Sequence, residues 1–367
     1  MYSMLVVAIL ATQLAFLAAL KQSRWWRWAL YLFLLAVAAL LHLMAVLVVV
    51  VDVAWLLLLW PNYRRRWLPF LLTLILPLAP YFALVGWWQL RLFLKADFQT
   101  GHPFVPLDEI ASGLLALYGH GASPQPPAWA LAPFIFLLLS AIVFAGRVTR
   151  PAAGPDALPE VAHGWRAWRM TAMLLAWLLL PPLLLFLSSL AKPMYADRYV
   201  IWIVPALLLL LAQGIAALAT IRRPLGWIAL ALVVVLALRG GWRQTHLPIK
   251  ADMRAAAEYV EARRLPGERV VFQIPYLRHT YEHYAGPLEV AVDGRFTNGG
   301  STPEQVADEM ATAVTDAPAV WLVLSEEAMW DTRGLVRTWL DGHGLRTDDQ
   351  HYQRVEVIRF QMGEVDR

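Results

Sequence analysis

The sequence predicts a polytopic α-helical membrane protein of about eight spans with a C-terminal soluble α/β domain. The 367 residues are 59% hydrophobic with a mean hydropathy of +0.52, and charged residues make up only 16%, against about 25% in a soluble domain. Long apolar runs fill the first two thirds of the chain, and the charge balance changes sign near residue 240, from +10 over 1–239 to −6 over 240–367. These observations predict a transmembrane domain at 1–240 and an extracytoplasmic domain at 241–367.

Apolar runs alternate with short basic loops in the first domain. Crossing a hydrocarbon core of about 30 Å takes about 20 residues. The run at 28–60 has 33 residues with three basic residues close to each end, so it is expected to cross twice and turn at Leu41-His42-Leu43. With that turn, eight spans follow: the runs are 2–20, 28–60 (two spans), 67–90, 128–146, 170–190, 200–220 and 225–238.

Basic loops give the orientation, because loops rich in Lys and Arg stay inside. The loops at 21–27, 61–66, 147–169 and 221–223 carry 3, 3, 4 and 2 basic residues and are assigned inside. The N-terminus and the acidic C-terminal domain then lie outside. The run at 2–20 lacks a basic leading region and a small-residue cleavage site, so a retained span is expected rather than a signal peptide.

Several classes of chemistry are excluded by composition. The chain has no cysteine, which rules out disulfides, thiolate catalysis and cysteine-ligated metal clusters. Its pI of about 9.4 comes from short basic clusters between apolar runs, which fit membrane loops better than a nucleic-acid surface. No Gly-rich phosphate loop precedes a helix of the C-terminal domain, so no cofactor is expected.

Short helices and strands alternate after residue 245. Asp252 begins a helix, Thr302-Pro303-Glu304-Gln305 is a capping box, and Ser325 is expected to cap a third helix that ends near Gly342. Four strands are predicted between them, at 269–274, 288–292, 319–324 and 354–360.

Polar residues within or beside apolar segments are candidate functional or packing groups. His42 lies at the predicted outer turn, where it lines a substrate cavity or makes a packing hydrogen bond. For Asp52, a structural hydrogen bond to a neighbouring span is the expected use. His279 and His283 have the i, i+4 spacing of a metal pair, but no third ligand is evident, and flanking Pro275 and Gly286 favour a polar surface loop with no metal.

The loop from Lys192 to Tyr199 carries two cations and two phenols at the expected outer interface. Arg198 offers a planar fork suited to phosphate oxygens, and Lys192 offers a point charge. Arg91 and Lys95 are expected on the same side, so the rim fits an anionic lipid head group. The alternative is interfacial anchoring with a local Arg198 to Asp197 pair.

The stretch from Lys192 to Tyr199, followed by a span with Pro205, resembles the corresponding part of bacterial C-type glycosyltransferases related to protein mannosyltransferases and aminoarabinose transferases. Other parts resemble the family in order: the span that ends in a histidine turn at 28–42, the outer-loop helix at 104–119, and the start of the outer domain at 252–274, with Arg254, Tyr259 and Pro266-Gly267.

The resemblance implies an inner-membrane protein that uses a polyprenyl-phosphate sugar on the outer face. It implies that Arg198, with Lys192 and Tyr199, binds the lipid-linked phosphate and that His42 lines the same cavity. The family's catalytic aspartate lies in a first outer loop that has no counterpart here, and the role is not transferred to Asp108 or Glu109.

Two functions therefore stay open. The chain is expected to be the C-terminal part of a split or shortened glycosyltransferase, or a non-catalytic accessory subunit of a larger membrane complex with another membrane chain as partner. A transporter is disfavoured, because the spans show no internal repeat.

Overall fold

A computed structural model describes residues 2–81, 83, 86–94, 104–120, 128–145, 161–246, 250–294, 297 and 301–363. The chain is mostly helical and divides by its contacts into two compact units. The first contains the described residues of 2–94, 104–191 and 195–243, and the second contains those of 192–194 and 244–363.

The first unit consists of helices. They are α1 (Tyr2–Lys21), α2 (Trp25–Leu41), a 3₁₀-helix (Leu43–Leu47), α3 (Val48–Leu58), α4 (Trp60–Tyr63), a 3₁₀-helix (Arg64–Arg66), α5 (Trp67–Tyr81), α6 (Trp87–Leu94), α7 (Leu107–His120), α8 (Ala128–Val143), α9 (Val161–Ser189), a 3₁₀-helix (Asp197–Ile203), α10 (Val204–Ile221) and α11 (Arg223–His246).

Four helical segments of the described chain are long and apolar enough to cross a membrane, and they do not reach the predicted eight spans. They are Tyr2–Lys21, Trp168–Ser189, Asp197–Ile221 and Arg223–Arg243. Three further apolar helices, Trp25–Leu41, Leu43–Leu58 and Leu131–Val143, are shorter. At 1.5 Å per residue a helix of 16 residues covers about 24 Å, less than a core of about 30 Å. The described parts of the run at 67–90 include helix α5 and the start of helix α6.

The turn predicted inside the second apolar run is confirmed. Helix α2 ends at Leu41, and His42 is extended, with φ −160° and ψ 122°, before the 3₁₀-helix begins at Leu43. The His42 amide still donates to the Ala38 carbonyl at 3.0 Å, so the chain leaves α2 without breaking its last hydrogen bond.

Aromatic rings and one carboxyl group form the core between the first helices. Phe16, Trp28, Tyr31 and Phe70 are all buried and pack with ring centroids 5.5 to 6.4 Å apart. The Tyr31 hydroxyl of α2 donates to Asp52 Oδ2 of α3 at 2.7 Å, and Asp52 has no exposed surface. The structural bond expected for Asp52 is therefore present.

The second unit is a sheet with helices on both faces. Its strands are β1 (Arg269–Phe272), β2 (Ala291–Asp293), β3 (Ala319–Leu324), β4 (Gly344–Tyr352) and β5 (Val355–Met362), in the order β2-β1-β3-β5-β4. Its helices are α12 (Met253–Glu261), α13 (Pro275–Ala285), α14 (Pro303–Ala313), α15 (Glu327–Trp330) and α16 (Leu335–His343).

Alternate residues of the central strands bury on opposite faces. Strand β1 is parallel to β2 and β3, and the pairs β3 with β5 and β5 with β4 are antiparallel. Phe272 and Trp321 pack under α12 and α13, whereas Leu322 and Ile358 pack under α14 and α16. This arrangement explains why β3 reads as a continuous apolar run.

The predicted helix starts are confirmed at two positions. The Asp252 side chain accepts from the Ala255 amide, and Thr302 and Gln305 form the reciprocal capping box with Pro303 at the first helical position.

Other local predictions were wrong. The segment expected to be a loop around His279 is helix α13, with Pro275 at its first turn and Gly286 at its end with φ 84°. The helix expected after Ser325 is two helices, because Asp331 caps α16 by accepting from the amides of Leu335 and Val336. Strand β4 was not predicted: it is a polar edge strand with a bulge between Arg346 and Asp348, so it lacks an alternating apolar face.

Candidate anionic-lipid site

The 3₁₀-helix Asp197–Ile203 positions Arg198. Ala196 enters it in an extended conformation, and Val200, Trp202 and Ile203 are buried with no exposed surface. The Trp202 indole donates to the Tyr199 carbonyl at 3.1 Å. These anchors fix the segment to the bundle and leave the Arg198 side chain exposed.

Three aromatic rings form a row that begins at Arg198. Its guanidinium is 5.7 Å from the Tyr199 ring, the Tyr199 ring is 5.1 Å from the His42 ring, and the His42 ring is 6.0 Å from the Tyr2 ring. We call these four residues the Arg198 cluster. The structure thus brings together three of the residues for which a shared site was predicted, Arg198, Tyr199 and His42.

The charge of Arg198 is not neutralised by a carboxylate within the described residues. The local pair with Asp197 that sequence reasoning offered as an alternative does not form, and the Arg198 cation instead faces the Tyr199 ring. A guanidinium in this state keeps its donors for an incoming anion.

His42 completes the cluster as a neutral donor. Partial burial first, and then the charge of Arg198, lower the pKa of His42. Its Nδ1 accepts from the Met44 amide at 3.2 Å, capping the 3₁₀-helix Leu43–Leu47, so the proton of the neutral ring is assigned to Nε2. That N–H is a donor for an anionic oxygen.

An apolar cavity of about 420 Å³ opens close to the cluster in the same unit. Its walls come from α7, α8, α9, α10 and the end of the 3₁₀-helix that carries Arg198. They are Leu107, Ile110, Ala111, Leu114, Leu115, Leu138, Leu178, Leu179, Pro182, Leu183, Ile203 and Leu207. No polar side chain is among them, so the cavity accepts hydrocarbon.

The cavity and the cation are near each other along one short segment. Ile203 lines the cavity and lies five residues after Arg198, which is about 10 Å at the 3₁₀ rise of about 2.0 Å per residue. A head group at Arg198 and a chain in the cavity are therefore compatible with a single amphiphile.

The remaining predicted site residues lie on other parts of the chain. Arg91 is exposed on α6 with its guanidinium 5.2 Å from the Trp87 ring. Lys192 belongs to the second unit. Lys95 lies outside the described residues. Asp108 and Glu109 are exposed in the first turn of α7.

The histidines singled out for metal binding make no such site in the described chain. His279 and His283 are exposed on α13, and nearby Glu282 pairs with Arg278 at 2.8 Å. Asp349, His351 and Glu356 have ligand atoms within 4.8 Å of one another, but Arg346 and Arg337 already pair with the two carboxylates.

Sequence reasoning missed Tyr2 and the cavity walls on α8 and α9. The signal for Tyr2 was its position: α1 and α2 pack along each other, so the start of the first helix meets the end of the second. The outer-loop helix expected at 104–119 is α7, and its residues Ile110 and Leu114 line the cavity.

Comparisons of the chain with family models, curated proteins and solved structures found no match. The glycosyltransferase resemblance therefore remains a hypothesis from the residues quoted for it.

Proposed function

We propose that this chain is a glycosyltransferase-like integral membrane protein that binds the phosphate of a polyprenyl-phosphate sugar at Arg198. One observation carries the proposal: a guanidinium without a carboxylate partner in the described chain, set beside two rings, lies about 10 Å along its segment from an apolar cavity. An isoprenoid chain matches the cavity, and the phosphate matches Arg198 and the His42 Nε2–H.

The chemistry follows from these charges. Sugar transfer breaks the bond between the anomeric carbon and the lipid phosphate oxygen and forms a bond to an acceptor hydroxyl, whose proton passes to a base. Negative charge grows on the departing phosphate, and a cation held nearby stabilises it. Arg198 has this role in the proposal, and no residue is assigned as the base.

The proposed location is a bacterial inner membrane, with the Arg198 cluster and the C-terminal unit on the outer side. The charge of the loops supports it, because Arg64, Arg65 and Arg66 follow α3 and Lys21 ends α1, at the ends of these helices far from His42. The finer count of about eight crossings belongs to the same proposal, with the shorter helices crossing where protein covers them.

A non-catalytic accessory subunit is the second candidate. Among the described residues, neither Arg198 nor His42 makes an ion pair or hydrogen bond with a carboxylate. A site with one cation and a hydrophobic cavity, but without a carboxylate paired to it in the described residues, binds a lipid phosphate without transferring its sugar.

Binding is tested with the full chain in nanodiscs, using undecaprenyl phosphate and the neutral polyprenol as probes. Arg198→Ala is expected to weaken phosphate-lipid binding about 10- to 100-fold, because hydrogen bonds to a charged group contribute about 1.5–3 kcal/mol. Polyprenol binding is expected to stay the same.

Arg222→Ala is the matched control, because Arg222 is an exposed arginine just after the other end of α10. Equal losses in the two variants, or unchanged binding in Arg198→Ala, would reject the site. Release of undecaprenyl phosphate from its labelled hexose derivative then separates the candidates: an enzyme releases it, and an accessory subunit only binds.

A further inference from the structure

A second cavity of about 680 Å³ lies in the helical unit and is distinct from the one near Arg198. Helices α1, α3, α9 and α10 supply most of its walls, and α4 supplies part of the rim. The lining residues are Leu10, Gln13, Leu14, Leu17, Leu20, Lys21, Trp55, Leu59, Asn62, Tyr63, Arg169, Met170, Met173, Leu174, Trp177 and Leu209.

The rim of this cavity is polar and cationic. Lys21, at the end of α1, and Arg169, on α9, line it together with Asn62 and Tyr63. No Asp or Glu is among the lining residues, and Lys21 makes no ion pair within the described part of the chain. The rim therefore places Lys21, without an ion pair in the described residues, beside a second cation, Arg169, where an anionic head group would sit.

The interior matches a lipid chain in both chemistry and depth. Leucine, methionine and tryptophan side chains form the wall, and Trp55 is fixed by its indole donating to the Met173 carbonyl at 2.8 Å. From Lys21 to Leu10 the cavity follows α1 for eleven residues, about 16 Å at the helical rise. That is about half of a hydrocarbon core of about 30 Å, or one leaflet.

A buried polar side chain lies near the inner end of the cavity. Gln13 is 3% exposed and lines the cavity, and its amide makes no hydrogen bond of normal geometry although it lies beside the Asp52 carboxyl. The Asp52 to Tyr31 hydrogen bond lies in the protein core. Leu10, about one turn further along α1, still lines the cavity, so a hydrocarbon chain is expected to end beside Gln13 and Leu10.

This cavity opens at the opposite end of α1 from the Arg198 cluster. Tyr2 of that cluster and Lys21 of the rim are the two ends of α1, about 29 Å apart at the helical rise. One lipid head group cannot occupy both positions.

We propose that this cavity binds one anionic phospholipid from the leaflet at the Lys21 end. Lys21 and Arg169 hold the phosphate, and one acyl chain lies along α1 as far as Gln13 and Leu10. The inference does not depend on the proposed sugar transfer, because it uses a different cavity and different cations.

The test measures binding of fluorescent phosphatidylglycerol and phosphatidylcholine with identical acyl chains to the delipidated full chain in detergent. Lys21→Gln/Arg169→Gln is expected to weaken phosphatidylglycerol binding about thirty-fold, and Lys21→Gln alone about five-fold, with little change for phosphatidylcholine. Because Lys21 is exposed, the single variant keeps the test valid if the double variant does not fold.

Two further variants separate the cavity from general surface charge. Arg64→Gln/Arg65→Gln removes two exposed cations from the segment after α4 that do not line the cavity, and is expected to retain binding. Leu17→Trp fills the cavity and is expected to weaken binding of both lipids.

The proposal is overturned by equal affinity for the two lipids, by equal losses in the two charge-matched double variants, or by undiminished binding in Leu17→Trp. Arg198→Ala is expected to leave phosphatidylglycerol binding intact. If Arg198→Ala does not weaken undecaprenyl phosphate binding, that result contradicts the proposed function and leaves the phospholipid proposal unaffected.

Discussion

Burial and hydrogen bonding have opposite effects on the pKa of Glu268. The residue is 1% exposed, and its Oε2 accepts from the Trp321 indole at 2.7 Å and from the Leu265 amide at 3.1 Å, while Arg359 donates to Oε1. Burial raises the pKa of Glu268, but the hydrogen bonds from Arg359, Leu265 and Trp321 outweigh it and lower the pKa overall.

Stability of the second unit is therefore expected to depend on this carboxylate in acid. Because the folded pKa lies below the unfolded value of about 4.3, the contribution is complete above that pH and is lost as the pH falls through the folded pKa. Glu268→Gln is expected to lower the free energy of unfolding by about 2 kcal/mol at neutral pH. The difference from the parent protein is expected to shrink as the pH falls below about 4.3.

Hydrogen exchange of the amides in β1, β3 and β5 of the full chain measures this loss. Glu258→Gln, on an exposed face of α12, is the control and is expected to change little. A Glu268→Gln defect that persists unchanged into acid would contradict the electrostatic origin.

Helices α8 and α10 are in close contact at a glycine. Gly214 of α10 packs against the backbone of α8, and a Cβ built on it would lie 2.2 Å from the Leu137 carbonyl oxygen. Small residues allow two membrane helices to approach this closely. Leu138 and Leu207 of the same two helices line the cavity near Arg198, so this contact also sets the cavity width.

Gly214→Ala is expected to destabilise the helical unit by about 1–3 kcal/mol, because the carbonyl of α8 has to move away. Gly113→Ala provides the opposite case, since Gly113 of α7 has nothing within 4 Å of its added Cβ. That change is expected to be neutral or stabilising, by about 0.5–1 kcal/mol. Thermal unfolding in detergent compares them, and a Gly214→Ala protein that melts no lower than the parent contradicts the close approach.

At the scale of the whole molecule, the basic loops predict how the chain is threaded through the membrane. Reporter fusions placed after Arg65 and Arg222 are expected to report the inside, and a fusion after Gly240 the outside, because positive loops stay on the cytoplasmic side. Alkaline phosphatase and green fluorescent protein fusions distinguish the two sides. Arg65 and Gly240 on one side would exclude the proposed orientation and, with it, an outward-facing Arg198.

The helix caps could be predicted because each cap joins two residues that are close in the sequence. The Asp252 cap and the Thr302 to Gln305 box each join a side chain to an amide three residues along the chain. The turn at His42 followed from a run too long for one crossing between two basic flanks. The eight-span count goes beyond the four full-length candidates of the described chain, because apolar length alone does not say where a helix ends and three apolar helices are shorter.

Hydropathy and charge along the chain were enough to predict the membrane class, the change to an α/β unit and the cationic character of the Lys192 to Tyr199 loop, because they are properties of neighbouring residues. The row of rings from Tyr199 through His42 to Tyr2, the hydrogen bond from Tyr31 to Asp52, and the helices that line the two cavities depend on the packed fold. These contacts join residues up to about 160 positions apart, and packing between helices selects them.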